Sequence, residues 1–350
     1  MVQEILQQYG IDAGKAQTEQ FGEGLINHTW KITDQRGAYI LQQVNHAVFT
    51  NPQAIDDNLN ALAKHFRMHH PDYLFAGPIT AANGKTLLLH KDHYYRLFPF
   101  ITGSTTLNVL SDKASAYEAA RQFGLFSRLL NNFDTAALQV TLPDFHNLSL
   151  RYIQFIQAVE SASSLRLQQA SESIAFIRGQ FPIVESYRML VNEKKLPLRV
   201  IHHDTKISNV LFDSTGKGLC VIDLDTVMPG YFISDIGDMM RTYLSAAGEE
   251  EMDFEKIVIR KDFFKAIFDG YMEQMEVVLN DTEKSCFIYA GKFIILMQAI
   301  RFLTDYLQND QYYGRKYDRH NLNRAKNQIT LLKRYLEAEP VFNEMLGFSN

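Results

Sequence analysis

The chain has 350 residues, of which 46% are hydrophobic, 12% aromatic and 21% charged; this is enough for a sizeable buried core in two or three lobes and excludes a disordered composition. A formal net charge of -5 at pH 7 gives no drive toward nucleic acid or an anionic membrane, so neither is expected as a partner. Cys220 and Cys286 lie outside any CxxC spacing, the N-terminus lacks a basic-then-apolar leader, and no stretch approaches about 18 uninterrupted apolar residues, so a reducing, cytoplasmic setting is expected.

From Gln20 to Val44, the stretch FGEGLINHTWKIT, the turn DQRG and the run AYILQQV predict a β-hairpin from their β-branched and aromatic content. NPQAIDDNLNALAKHF predicts a helix, because Asn51 can cap it, Pro52 suits its first turn, and Ile55, Leu59 and Leu62 recur at helical spacing. A second hairpin is expected in ITAANGKTLLLHKDHYYRLFPFITG, with Asn83-Gly84 and Lys91-Asp92 as turns. The β-rich lobe is expected to end in a hinge near Phe100, which divides the chain into residues 1–101 and a mainly helical 102–350. In that second part ASAYEAARQFGLFSRLLNNF, SLRYIQFIQAVESAS and SESIAFIRGQFPIVESYRMLVNEKK all carry apolar residues three and four apart. One β-like island, VLFD followed by GLCVIDLD, interrupts the helices, and the helical pattern resumes from Phe254.

The island carries the chemistry. Just before it, HHDTKISN places Asp204 five positions ahead of Asn209: a carboxylate to orient an acceptor hydroxyl and take its proton, and an amide oxygen to hold magnesium, as phosphoryl transfer requires. Fourteen positions after Asn209, VIDLD ends an apolar run in Asp223, the principal candidate metal ligand. Asp225, on the same face of an ideal strand, is expected to reach a second magnesium or a ligand water. Upstream, Gly22, Gly24 and Asn27 frame a loop whose backbone N–H groups could close over nucleotide phosphates. Taken singly, each has a plainer reading: a loop Asp or Asn caps helices, and glycines suit any hairpin turn. Their order along one chain is what favours the chemical reading.

These motifs resemble the aminoglycoside phosphotransferase and choline kinase group of protein-kinase-like enzymes, over roughly residues 20 to 330. In VIDLDTVMPGYFISDIGD, Asp223, Gly230 and Asp235 match the group's DxxxxxxGxxxxD spacing, while DTKISNVLFD, VIDLDTVMPG and RFLTDYL look most like N-acetylhexosamine anomeric kinases. The resemblance implies an α+β, bilobal fold, ATP and Mg2+ as cofactors, and a small-molecule acceptor such as an amino sugar. It also implies a phosphate-contacting Lys or Arg on the small lobe's second strand, where YILQQVN has Gln42, an amide without charge. The hinge at Tyr95 to Ile101 brings in Phe98 and Phe100 as nucleotide contacts, with backbone groups there reading adenine. For the acceptor, Arg301 in RFLTDYL and His28 are the candidates; the plainer readings are an Arg301–Asp305 helix-face ion pair and a surface histidine.

Three readings stay open: an amino-sugar anomeric kinase, a kinase of another small alcohol such as choline, an aminoglycoside or a different sugar, and a nucleotide-binding pseudokinase favoured by Gln42. Glu249, Glu250 and Glu251 would suit a polycationic acceptor and Tyr306, Tyr312, Tyr313 and Tyr317 an ammonium cage, but Arg315, Lys316, Arg319 and Arg324 crowd the latter, which favours a neutral sugar.

Overall fold

The structure is a computed structural model describing residues 2–22 and 27–347. In chain order it contains α1 (Val2–Gln8), β1 (Gln17–Gln20), β2 (His28–Asp34), β3 (Gly37–Val44), α2 (Pro52–His69), β4 (Leu87–His90) and β5 (His93–Pro99). Helices α3 (Lys113–Leu129), α4 (Leu148–Ser161), α5 (Ser164–Gly179) and α6 (Phe181–Asn192) follow. Short strands β6 (Arg199–Ile201), β7 (Val210–Phe212), β8 (Gly218–Val221) and β9 (Met228–Gly230) lead to α7 (Ile233–Tyr243), α8 (Lys261–Met275), α9 (Asp281–Ser285), α10 (Phe287–Leu307) and α11 (His320–Leu346).

The chain divides into two compact units, and the division is not the single cut after residue 101 expected from the sequence. The first unit comprises Met1–Thr106, Asn132–Pro143 and Asn209–Pro229; the second comprises Leu107–Asn131, Asp144–Ser208 and Gly230–Asn350. The β-like island belongs to the first unit because its hairpin is tied there: Thr105 and Phe212 exchange both backbone hydrogen bonds at 2.8 Å, and Asn58 on α2 donates to Val227 O at 3.2 Å.

In the first unit an antiparallel sheet of order β1-β2-β3-β5-β4 buries one face. Ile32, Leu41, Tyr95 and Leu97 point into a core with Ile5, Leu6 and Ile11 of the N-terminal segment. Strand alternation then directs Gln42, Arg96 and Phe98 to the opposite face. Both expected hairpins are present, with Lys91 and Asp92 at φ 49° and 63° closing the tight turn between β4 and β5. Asn51 caps α2 by accepting from Ala54 N at 3.2 Å, and Pro52 opens the helix.

The second unit packs around α10, whose apolar residues are buried on nearly every side. Among the described residues α10 alone is long and apolar enough to cross a membrane, and 72% of that window is buried within the protein. Helix α7 lies against it so closely that a Cβ on Gly237 would overlap Ala290 O and Ile294 Cγ1. A backbone oxygen cannot swing aside as a flexible side chain does. Gly237→Ala is therefore expected to destabilise the protein by about 2 kcal/mol, outweighing the helix-propensity gain of about 1 kcal/mol. Urea titration of the two proteins checks this, and because α7 also carries Asp235 and Asp238, turnover should fall with it.

Candidate active site

In the first unit the β7–β8 hairpin brings together two residues that are distant in sequence. Val210 pairs with Val221, and Ile222 N donates to Asn209 O at 2.9 Å, so Asn209 and Asp223 sit at the same end of the hairpin. Asn209 is 3% exposed, whereas Asp223 stands at the surface with φ 60° and ψ 57°. A left-handed backbone at a residue other than glycine costs about 1–2 kcal/mol, and here it turns the carboxylate away from the line of the strand. The strand ends at Val221, and Leu224–Thr226 form a single 3-10 turn, so the expectation that Asp223 and Asp225 share a strand face is not met.

Asp225 is instead turned inward, onto the sheet face that carries Gln42 and Arg96. These two are direct cross-strand partners on β3 and β5. Arg96 Nη1 lies 2.6 Å from Asp225 Oδ1, Nη2 donates to Oδ2 at 2.8 Å, and both side chains are 3% exposed. Gln42 Oε1 accepts from Arg96 Nε at 3.1 Å and from Nη2 at 2.8 Å. Asn27 Nδ2 donates to Asp225 Oδ2 at 3.0 Å, and Asn27 Oδ1 accepts from Asn45 N at 3.0 Å. Both Asp225 carboxylate oxygens thus contact protein donors, Arg96 on each and Asn27 on Oδ2.

The same face continues into an aromatic patch. Phe98 lies under the Arg96 guanidinium at 5.1 Å, Phe100 meets Phe21 edge-on at 5.9 Å, and Lys31 Nζ sits 4.7 Å from the Phe100 ring. Gly22 adopts φ 75°, which suits glycine; Gly24 lies outside the described residues. His28 is exposed and pairs with Gln43 across β2 and β3, which directs its side chain away from the Gln42 and Arg96 face, so it is not brought together with them.

In the second unit the turn carrying Asp204 is held by two buried carboxylates of α7. Asp235 accepts His202 N at 3.0 Å and His203 N at 2.7 Å, and Asp238 accepts Thr205 N at 2.9 Å. Tyr243 Oη donates to Thr205 O at 2.6 Å. His203 takes φ 66°, and its imidazole lies where a Cβ on Gly230 would be, which gives the spacing of Gly230 and Asp235 a physical reason. Burial pushes Asp235 up to about 7 against the pull of its two N–H donors. It raises Asp238 as well, where the Arg241 guanidinium at 3.0 Å opposes it. The Asp204 carboxylate is 30% exposed and pairs with Lys206 Nζ at 2.9 Å.

Beside this turn lies an aromatic set that joins Tyr312 and Tyr313, weighed from the sequence, to Phe145, which was not. The Phe145 ring is 6.3 Å from the His203 ring and 5.6 Å from the Arg301 guanidinium, which also faces Tyr312 at 5.9 Å and Tyr313 at 5.5 Å. Asp305 does not pair with Arg301: it accepts Tyr312 N at 2.7 Å, Tyr313 N at 3.0 Å and Asn321 Nδ2 at 3.0 Å, shaping the loop that carries the two tyrosines. Arg301 Nη1 reaches Gln298 Oε1 at 3.4 Å. The acidic run is neutralised by its own surroundings: Glu249 pairs with Arg241 at 3.2 Å and with Arg324, Glu250 with Lys316 at 2.8 Å, and Glu251 with Lys256 at 3.3 Å. Lys206 was open to sequence reasoning, since it lies between Asp204 and Asn209; Phe145 and Arg96 carried no local signal.

Residues 17–256 match the phosphotransferase enzyme family, APH. Among solved structures, a spectinomycin phosphotransferase in complex with ADP and spectinomycin is 15% identical with a TM-score of 0.58, covering 97% of each chain. A microcompartment-associated aminopropanol kinase is 17% identical at 0.61, again covering 97% of each. An ethanolamine kinase from Plasmodium vivax is 11% identical at 0.56, over 98% of this chain and 90% of that one. At these identities the likeness is one of fold, a small antiparallel-sheet unit and a larger helical one, and the sequence match over more than half the chain settles the family. The chain belongs to the phosphotransferase enzyme family and is a small-molecule phosphotransferase of the aminoglycoside phosphotransferase and choline kinase type.

Proposed function

We propose that the protein is an ATP- and Mg2+-dependent kinase that phosphorylates an N-acetylhexosamine, N-acetylglucosamine or N-acetylgalactosamine, at its anomeric hydroxyl. The observation that carries the kinase reading is the partly exposed Asp204 carboxylate, presented by a turn whose N–H groups are fixed by Asp235 and Asp238. A carboxylate so placed orients an acceptor hydroxyl and takes its proton late in a loose transition state. An anomeric hydroxyl is more acidic than other sugar hydroxyls, which eases that transfer. Asn209 and Asp223 offer hard oxygen donors suited to Mg2+, and two protein donors are enough for an ion that completes its shell with phosphates and waters. Bound there, Mg2+ would neutralise charge on the transferring phosphates. Phe98, Phe100, Gly22 and Asn27 line the proposed nucleotide side.

The acceptor reading rests on charge and shape. The aromatic faces of Phe145, Tyr312 and Tyr313 already lie against the Arg301 guanidinium, so a choline ammonium there would meet a like charge. The ion-paired Glu249, Glu250 and Glu251 leave little acidity for a polycationic aminoglycoside. Aromatic rings against a sugar's C–H face, with Arg301 and Gln298 toward its hydroxyls or acetamido group, suit a neutral amino sugar. Buried Cys220 and Cys286, both free, accord with a cytoplasmic enzyme using cellular ATP.

Asp204→Asn is expected to keep its fold and most of its nucleotide affinity while turnover falls by about 10^2–10^4; turnover near that of the wild type would remove Asp204 from the chemistry. Asp223→Ala should abolish activity and weaken Mg·ATP binding in calorimetric titration, and unchanged binding would take Asp223 out of the metal shell. For the acceptor, sugars and amino alcohols are incubated with ATP and Mg2+, and phosphorus NMR should show a glycosyl phosphate from N-acetylglucosamine or N-acetylgalactosamine. Arg301→Ala should raise the sugar KM by about tenfold or more with the ATP KM unchanged. A primary-alcohol phosphate, or activity on choline or an aminoglycoside alone, defeats the sugar reading, and the absence of any phosphorylated product favours a pseudokinase.

A further inference from the structure

On the exposed side of the small sheet, one side chain has a placement that its packing alone does not explain. Arg96 is 2% exposed, yet it projects from the face opposite the apolar core. Its guanidinium is fixed on two sides, by Gln42 Oε1 at 3.1 and 2.8 Å and by the Asp225 carboxylate at 2.6 and 2.8 Å. Its hydrogen bonds run from Nε and Nη2, while Nη1 makes an ion-pair contact with Asp225 Oδ1 and is the part of the fork left for a further acceptor. Phe98 lies beneath it, and Asn27 binds the same Asp225 oxygen as Arg96 Nη2.

A buried ion pair adds little stability over well-packed apolar residues of the same size. Orientation is a different matter. Gln42 brings no charge, but its single amide oxygen bridges Nε and Nη2 and so fixes the plane of the fork. Asp225 balances the charge and, two residues after Asp223, ties the guanidinium to the segment that carries the proposed metal ligand. A guanidinium whose geometry and desolvation are settled before ligand arrives meets a phosphate oxygen at small further cost.

We propose that Arg96, carried on β5, supplies the cation that contacts the nucleotide's phosphate chain, and that Gln42 and Asp225 are its mount. This rests on the kinase reading above. The positive charge missing from position 42 is then present one strand away, on the residue directly opposite. Asp225 acts as counter-ion and not as a ligand of magnesium, and Asn27 extends the mount to the end of the glycine-bearing loop.

The test is calorimetric binding of adenosine, ADP and ATP to the full chain in EDTA, where no metal contributes. Arg96→Gln should weaken ADP and ATP by about tenfold or more and leave adenosine within about twofold. The double variant Gln42→Lys with Arg96→Gln returns a cation to the opposite residue and should restore most of the ADP affinity. If circular dichroism shows that Arg96→Gln does not fold, Arg96→Lys carries the test. It keeps the charge but loses the fork, and should weaken ADP by a few-fold with adenosine unchanged. Equal loss of adenosine and ADP in the folded variants would make Arg96 a scaffold residue only, and ADP affinity equal to wild type would remove it from the phosphates; either result overturns the inference. Wild-type protein that binds no ADP overturns the kinase reading and this inference together, whereas wild-type binding matched by Arg96→Gln overturns the inference alone.

Discussion

Both oxygens of the Asp235 carboxylate accept backbone N–H groups, from His202 and His203, and the direction in which Asp204 points depends on that pair of bonds. His203 is held at φ 66°, a conformation that a residue with a β-carbon adopts only when its surroundings over-determine it. Three things do so: the carboxylate behind the turn, the Ile201 O contact to His203 Nδ1 at 3.2 Å, and the space left by Gly230. The carboxylate is costly to keep. Burial raises it to about 7, so the folded protein holds this proton more tightly than the unfolded chain does. The stability it contributes is full below the ordinary carboxylate range and is lost as pH rises toward and through about 7. The ionised form accepts both N–H groups best, so the arrangement that presents Asp204 is fully made only where this contribution has been given up. Its position in the first turn of α7 offsets part of that cost, since the N-terminal end of a helix favours negative charge.

Several of the charged side chains are matched within their own unit. In the second, Asp204 faces Lys206, Asp238 faces Arg241, and Glu249 is shared between Arg241 and Arg324. In the first, Arg96 and Asp225 form an isolated buried pair completed by two neutral amides, Gln42 and Asn27. Asp223 is exposed and takes a left-handed backbone at φ 60° and ψ 57°, which carries a conformational cost.

Legibility in the sequence followed the range of the interaction. The Asn51 cap, the Lys91-Asp92 turn, the hairpins and the helical stretches rest on neighbours a few residues apart, and all were readable from residue type and period. The closeness of Asn209 and Asp223 was readable because the hairpin that joins them is compact in sequence, and the Asp204 turn lies just before it. Arg96 was not readable, since its link to Gln42 depends on strand register across 54 positions and its link to Asp225 spans 129. The strand face expected to be shared by Asp223 and Asp225 was misread because apolar alternation does not mark where β8 stops; the strand ends at Val221 and Leu224–Thr226 form a 3-10 turn. The compact units likewise depend on long-range links, since Asn209–Pro229 joins the first unit through contacts with residues far upstream.

The acidic run and the tyrosines show why composition cannot choose an acceptor. Counted as letters, Glu249, Glu250 and Glu251 suggest a polycation site and the clustered tyrosines an ammonium cage. Within the fold, the glutamates are matched by basic side chains, one for one or better, and Arg301 already lies against the aromatic faces. Asp305 then matters for a reason other than pairing with Arg301. By accepting the N–H groups of Tyr312 and Tyr313 it sets the loop on which both rings stand, and it leaves the guanidinium to Gln298 and the rings. A rigid cation flanked by aromatic faces excludes an ammonium by charge and binds a polyhydroxylated ring by directional hydrogen bonds. On that logic, if the proposed acceptor site is the one beside Arg301, its selectivity comes as much from what Arg301 repels as from what it holds.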